Sequence, residues 1–285
     1  MRTTMNRSAR LQALSAFLQS QRAKLRPSEA GFPEGGRRRT PGLRREEVAQ
    51  LAGVSLTWYT WLEQGRDIQA SSAVLDAIAS ALRLTKDERK YLFSLALESG
   101  EPAPLPQEPP RIDAPLRHIL KELASCPTIV SDRRCQIVGW NEAASHIFLD
   151  FDRIAPERRN LIRLLFERKE FRRLAVNWEL FVGGFLAIFR SYYGEYVGDG
   201  WYETFLEEMS ELDPDFLRLW EASKVSSAPE MVIEFRHAKA GKMQFHLTSL
   251  MIHGSPDLRC SVYTPDPGTT TEEKLRRLMA RTQSS

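Results

Sequence analysis

Before residue 100 the apolar positions recur every three or four places, the period of helices that pack by one face. Leu11, Leu14, Leu18 and Leu25 fall near one face of a first helix. Arg44 to Ala52 forms a second, with Val48, Ala49 and Leu51 apolar. A third runs from Ser55 to Gln64, its N-cap Ser55 able to accept an orphan N–H of the first turn. Ser71 or Ser72 caps a fourth, whose Val74, Leu75, Ile78 and Leu82 face the core. Thr85 with Glu88 makes a capping box for a fifth, which carries Tyr91, Leu92, Leu95 and Ala96. The pattern predicts an all-α domain of five helices over residues 1–99.

"GEPAPLPQEPPR", residues 100–111, holds five prolines and a glycine. Proline lacks the N–H donor and fixes φ, so the stretch reads as a semi-rigid linker. Beyond it the period changes. "PTIVSD" and "QIVGWN" alternate as two short strands joined by a polar turn, Asp132–Arg134. A long helical region follows, with Trp178, Phe181, Val182, Phe185, Phe189 and Tyr192 at helical spacing. Trp201, Phe205, Met209 and Leu212 continue it, then Phe216, Leu219 and Trp220. The tail alternates again: Met231, Ile233 and Phe235 share one face, Phe245, Leu247 and Ser249 another, Cys260 and Val262 a third. Two strands, several helices and three strands predict an antiparallel sheet with helices on one side, an α+β domain over 112–268. Residues 269–285 are a helical tail.

Composition narrows the class. Hydrophobic content of 42% and charged content of 27% suit a globular protein. No apolar run approaches the roughly 18 residues of a membrane span. Without an apolar leader segment, and with three scattered cysteines, Cys126, Cys135 and Cys260, the expected location is the cytoplasm, with reduced thiols. Net charge is +3, but residues 1–66 carry 12 Lys/Arg against 5 Asp/Glu, and residues 101–285 carry 24 against 27. A basic head on a mildly acidic body suits a polyanion at the head.

"REEVAQLAGVSLTWYTWLEQG" has the parts of a DNA-reading helix-turn-helix. Ala49 is small where two helices cross, Gly53 fits a sharp turn, Val54 plugs the gap and Ser55 caps the second helix. Tyr59 and Leu62 lie at i and i+3 and face inward. Leu56, Thr57, Thr60 and Trp61 then project outward, where a recognition helix meets base edges. Arg37, Arg38, Arg39, Arg44, Arg45 and Arg66 surround this face.

Residues 40–83 resemble the Cro/XRE-type helix-turn-helix, through "LRREEVAQLAGVS" and "LEQGR". The longer run "RRRTPGLRREEVAQLAGVSLTWYTWLEQGRDI" is similar to the MmyB-like transcriptional regulators, which join that head to a PAS-like ligand-binding domain. The likeness implies that Arg45 lies near the DNA backbone, that Ser55, Trp58 and Arg66 meet phosphates, and that Leu56, Thr57, Thr60 and Trp61 approach the major groove. Leu56 and Trp61 suit thymine methyls. Arg37–Arg39 either track phosphates or enter the minor groove.

The likeness continues through "CPTIVSDRRCQIVGWNEAA", with Trp140 and Asn141 as its signature, and "PERRNLIRLLF", centred on Arg159 and Asn160. "FLRLW", "RHAKAGKMQF" and "VYTPDPG", which contains Tyr263, complete it, so it spans roughly residues 10–280. It implies a five-stranded antiparallel sheet whose helices enclose a pocket for a small apolar or fatty-acyl-like ligand. Trp178, Phe181, Phe185 and Trp220 are candidates for its wall or for plain core. Asn141 either holds its turn or meets ligand. Arg159–Asn160 either clamp a loop or meet a ligand carboxylate. The family's His-Asp pair before the valine is here Ser223 and Lys224, and its proline after the third-strand histidine is Ala238.

The five histidines show no metal-ligand spacing, although His237 and His246 fall on expected neighbouring strands. No phosphate-binding glycine loop or nucleophile elbow is present. The expectation is a non-enzymatic regulator that binds an operator duplex as a homodimer, with no cofactor beyond the apolar ligand and no membrane partner. The alternative is a ligand-free regulator or adaptor whose second domain serves dimerisation or a protein partner.

Overall fold

The computed structural model describes residues 2–33, 42–97, 110–197, 199–226, 231–252 and 258–282. The linker over 100–111 lies outside the described residues except for Pro110 and Arg111. Two compact units form: one from Met1–Ala103, Arg190–Glu207 and Glu221–Ser227, the other from Pro104–Phe189, Glu208–Trp220 and Ala228–Ser285.

The first unit contains α1 (Arg2–Lys24), α2 (Arg45–Ala52), α3 (Leu56–Glu63), α4 (Ser72–Ala81) and α5 (Lys86–Ala96). The polar residues at their starts explain the boundaries. Ser55 caps α3 and Ser71 caps α4, each hydroxyl accepting an N–H three residues on. Thr85 and Glu88 close a reciprocal capping box on α5. On α1 the deepest residues are Leu14, Phe17 and Leu18, whereas Leu11 is half-buried and Leu25, also half-buried, follows the end of the helix at Lys24. Phe17 meets the edge of Tyr91 at 5.0 Å. Gly42 lets the chain pass close to α1, since a Cβ there would sit 2.3 Å from the Arg22 carbonyl oxygen. The same unit includes the end of α10 (Trp178–Glu195) and the start of α11 (Gly200–Leu212). Tyr91 packs against Gly194, where an added Cβ would lie 2.1 Å from its ring, and Lys90 pairs with Glu195 at 2.5 Å.

The second unit is built on five antiparallel strands: β1 (Thr128–Ser131), β2 (Ile137–Trp140), β3 (Met231–His237), β4 (Gly241–Met251) and β5 (Arg259–Pro265), in the order β2-β1-β5-β4-β3. Cys135, at φ 60, makes the sharp corner between β1 and β2, and its N–H donates to the Asp132 carbonyl. Register follows the alternation. Ile233 lies opposite Phe245, and Leu247 opposite Tyr263, so large apolar residues line one face. Phe148, Phe171 and Phe181 cover that face, with Phe148 to Tyr263 centroids 4.9 Å apart and Phe181 to Phe235 centroids 5.4 Å apart. α7 (Glu142–Ile147), α8 (Leu161–Glu167), α9 (Lys169–Leu174) and α12 (Pro214–Ala222) complete the helical side.

Helices do not keep to one side of the sheet, as the pattern led one to expect. α6 (Ala114–Glu122) places Leu116 and Leu120 on Val130, Cys260 and Val262. These strand residues point away from Ile129 and Tyr263, so they form a smaller core on the opposite face. The last helix, α13 (Thr271–Thr282), buries Leu275 and packs on α7 and β4.

Candidate functional site

Three local features aim α3. Gly53 closes α2 at φ 65, and its N–H donates to the Ala49 and Gln50 carbonyls. A Cβ at Gly53 would meet nothing within 4 Å, so the backbone angle alone requires glycine there. Gly53→Ala is therefore expected to cost about 1–2 kcal/mol, and Gly53→Asn less, in denaturant melts of the two variants. At the start of α3 the Ser55 hydroxyl accepts the Trp58 N–H at 3.2 Å. On its inner side Tyr59 and Leu62 are buried, as their spacing requires. Leu56 (48% exposed), Thr57 and Trp61 (40% exposed) face solvent, while Trp58 and Thr60 are half-buried.

Glu63 supplies an anchor that the sequence pattern does not single out. Its side chain is fully buried, yet it accepts from Arg22 Nε at 2.6 Å and from Arg45 Nε. Arg22 also donates to the Leu43 carbonyl at 2.6 Å, and the Ser15 hydroxyl donates to the Glu63 carbonyl at 2.7 Å. One carboxylate thus ties α3 to α1 and α2. The usable signal was an acid four residues after the inward Tyr59, inside a head rich in arginine.

Around the exposed face of α3 the cations take distinct places. Arg44 is exposed at the start of α2 and pairs with Glu46 at 3.2 Å. Arg45 keeps 41% of its side chain exposed while it holds Glu63. The Arg66 guanidinium lies 5.6 Å from the centre of the Trp61 ring, just past the C-terminal end of α3, the end that Arg45 also reaches through Glu63. Arg37, Arg38 and Arg39 lie outside the described residues.

In the second unit the candidate ligand residues divide into two groups. Asn141 uses its side-chain amide four times: Oδ1 accepts from Thr128 N and Ala144 N at 3.0 Å each, and Nδ2 donates to the Leu123 and Cys126 carbonyls at 2.8 and 2.9 Å. Asn160 caps α8 by accepting from Arg163 N and donates to the Arg134 carbonyl. Arg159 donates to the Ile154 carbonyl at 2.7 Å and stacks 5.0 Å from the Trp140 ring. These bonds support the structural alternative for both motifs, a clamp on the β1–β2 corner and the loops beside it.

The other group is apolar. Phe181, Phe185 and Tyr263 are buried among the aromatics above the sheet, and Trp220 stacks on Phe216. Trp178 is half-buried between Phe166 and Phe181. A cleft of about 160 Å³ opens beside them, lined by Val176, Asn177, Leu180, Phe181 and β3 residues Met231 to Glu234. Of the expected set only Phe181 reaches it. Burial pushes the Tyr263 hydroxyl well above the usual phenol range, which keeps it neutral within this apolar layer.

His237 and His246 stand apart, because His237 pairs with Gly241 and His246 with Val232 in the ladder. His237 Nδ1 accepts the Ala240 N–H at 3.2 Å and closes its own turn, whereas His246 faces Asp266 at 3.2 Å. Among the described residues no three His, Cys, Asp or Glu side chains are placed to hold a metal ion, and no helix is long and apolar enough to cross a membrane.

Comparison with known families agrees with this geometry. A helix-turn-helix domain model matches residues 13–92, and the MmyB-like transcription regulator ligand binding domain matches residues 112–278, more than half of the chain. No curated protein matches the chain. With a capped, outward-facing α3 in the head and a five-stranded α+β domain after it, the chain belongs to the MmyB-like transcription regulators, which join a DNA-binding helix-turn-helix to a ligand-binding domain.

Proposed function

We propose that the chain is a cytoplasmic, non-enzymatic regulator that binds a specific operator as a homodimer, under the control of a small apolar, fatty-acyl-like ligand. The observation that carries the DNA half is the division of α3. Its inner side is fixed by Tyr59, Leu62 and Glu63, which leaves Leu56, Thr57, Thr60 and Trp61 free to meet base edges. Arg45, held on Glu63 at the last residue of α3, and Arg66 just after it supply positive charge beside that face, with Arg44 next to Arg45 in the chain. Two heads on a pseudo-palindrome double the small interface that one such head makes.

Base and phosphate contacts separate by mutation. Trp61→Ala or Thr60→Ala is expected to weaken operator binding by about 1–3 kcal/mol and to relax sequence preference. Arg66→Ala is expected to weaken all duplexes alike and to lower the slope of log K against log salt by about 1. Fluorescence anisotropy with labelled duplexes at several salt concentrations reads both. Equal losses on specific and random duplexes for Trp61→Ala would remove it from the base-reading set.

The ligand half rests on the aromatic layer around Phe181 and Phe185 and on the cleft beside it. Titration of a long-chain fatty acid is expected to change operator affinity about 5- to 150-fold, the usual span of coupling between two sites. Saturation without any change in operator affinity would defeat the switch. A second function has its own support: the cleft's 160 Å³ falls below the roughly 300–1,000 Å³ of ordinary ligand pockets. In that alternative the domain serves dimerisation or a protein partner, and the fatty acid does not bind.

A further inference from the structure

The outward face of α3 lacks every side chain that reads a base by two hydrogen bonds. Guanine presents two acceptors and is matched by Arg or Lys, and adenine presents an acceptor and a donor and is matched by Asn or Gln. From Leu56 to Glu63 the helix contains none of these four, and its one charged residue, Glu63, is buried beneath Arg22 and Arg45. Gln64 and Arg66 come after the helix ends, whereas a recognition helix reaches base edges with its first turns.

What α3 offers instead is apolar surface. Among the described residues up to Leu97, the large hydrophobic side chains left exposed are Leu51, Leu56 and Trp61, all within the helix-turn-helix. Thr57 and Thr60 add a methyl and a hydroxyl each. Covering such a surface with an apolar partner is favourable, and Arg66 over Trp61, with Arg44 and Arg45 on their partners Glu46 and Glu63, adds cations nearby that fit a polyanion. Inside a major groove the one apolar group is the thymine C5-methyl.

We infer that Leu56 and Trp61 set operator choice by packing on thymine methyls, with Thr57 and Thr60 adding single hydrogen bonds, so the head selects A·T-rich half-sites. This rests on the DNA-binding role proposed for α3 and names the chemistry it reads. The test is selection by the full-length protein from a random duplex library, then replacement of each thymine in the enriched duplex by uracil, which removes only the methyl. Enriched half-sites should be A·T-rich, and each contacted methyl removed should lower affinity about three- to fivefold. In Leu56→Ala or Trp61→Ala the difference between thymine and uracil should vanish at the matching position.

An enriched duplex that is G·C-rich, or whose affinity uracil leaves unchanged, would overturn the inference while sequence-specific DNA binding stands. Salt-dependent duplex binding without any enriched sequence would also overturn it. A failure to bind any duplex would instead remove the DNA-binding role of α3. The uracil comparison needs no protein variant, so a poorly folding mutant does not decide the result.

Discussion

Glu63→Ala is expected to destabilise the helix-turn-helix unit by about 3–5 kcal/mol, a large share of a small domain's stability. The size follows from what stays behind. Glu63 is fully buried and Arg22 nearly so, so removing the carboxylate leaves a largely buried guanidinium with the Leu43 carbonyl and the Tyr59 hydroxyl beside it and no charge to balance it. Arg45 is 41% exposed and turns to water, so Arg45→Ala should cost under about 1 kcal/mol. Glu63→Gln keeps the shape and one acceptor and should fall between the two. Chemical denaturation of the three variants, each paired with a duplex-binding assay, orders them. A Glu63→Ala loss below that of Arg45→Ala would mean the carboxylate does not hold α3 to α1.

Asn141→Ala should cost the second unit about 2–4 kcal/mol: about 1 for a lost helix cap and about 1–3 for buried backbone groups left without partners. The Thr128 N–H is buried in β1 and donates to Asn141 Oδ1, an acceptor that the alanine lacks. The Leu123 and Cys126 carbonyls lose their donor in the same step. Asn141→Asp retains both accepted bonds but turns a carboxylate oxygen toward two carbonyls. It should keep the cap and the Thr128 bond and lose the two donated ones, giving an intermediate loss. Unchanged stability of Asn141→Ala, with altered fatty-acid binding, would reverse the assignment and make Asn141 a ligand residue.

Much of the head was legible because its signals are local. Ser55, Ser71 and the Thr85–Glu88 pair are capping residues that act within one turn, and all three boundaries follow from them. The inward turn of Tyr59 and Leu62 follows from helical period alone. Glu63 was not legible in the same way, since a carboxylate on a helix reads as solvent-facing until Arg22 arrives from 41 residues earlier. Phe17 outranks Leu11 and Leu25 in the core for a similar reason: its partner Tyr91 is distant in sequence.

In the α+β domain, alternation located all five strands, but it carried no information on strand order. Pairing of β1 with β5, across more than 120 residues of chain, is a tertiary outcome. Short runs such as Leu116 and Leu120 do not declare which face of a sheet they will cover, so the core under α6 was missed. The candidate ligand residues were the hardest to sort. Asn141 and Asn160 are common to turn-holding and ligand-holding designs, and only their four and two hydrogen bonds distinguish the uses. Large aromatics suit a packed core and a pocket wall equally.

The measurement that bears most directly on the central claim is the ratio of dissociation constants for an enriched duplex and a scrambled duplex of equal composition, at one fixed salt concentration. A sequence-reading α3 should give a ratio of about 10³–10⁷ in favour of the enriched duplex. A ratio near one, with both affinities falling together as salt rises, would show that the head binds phosphates alone and does not read sequence.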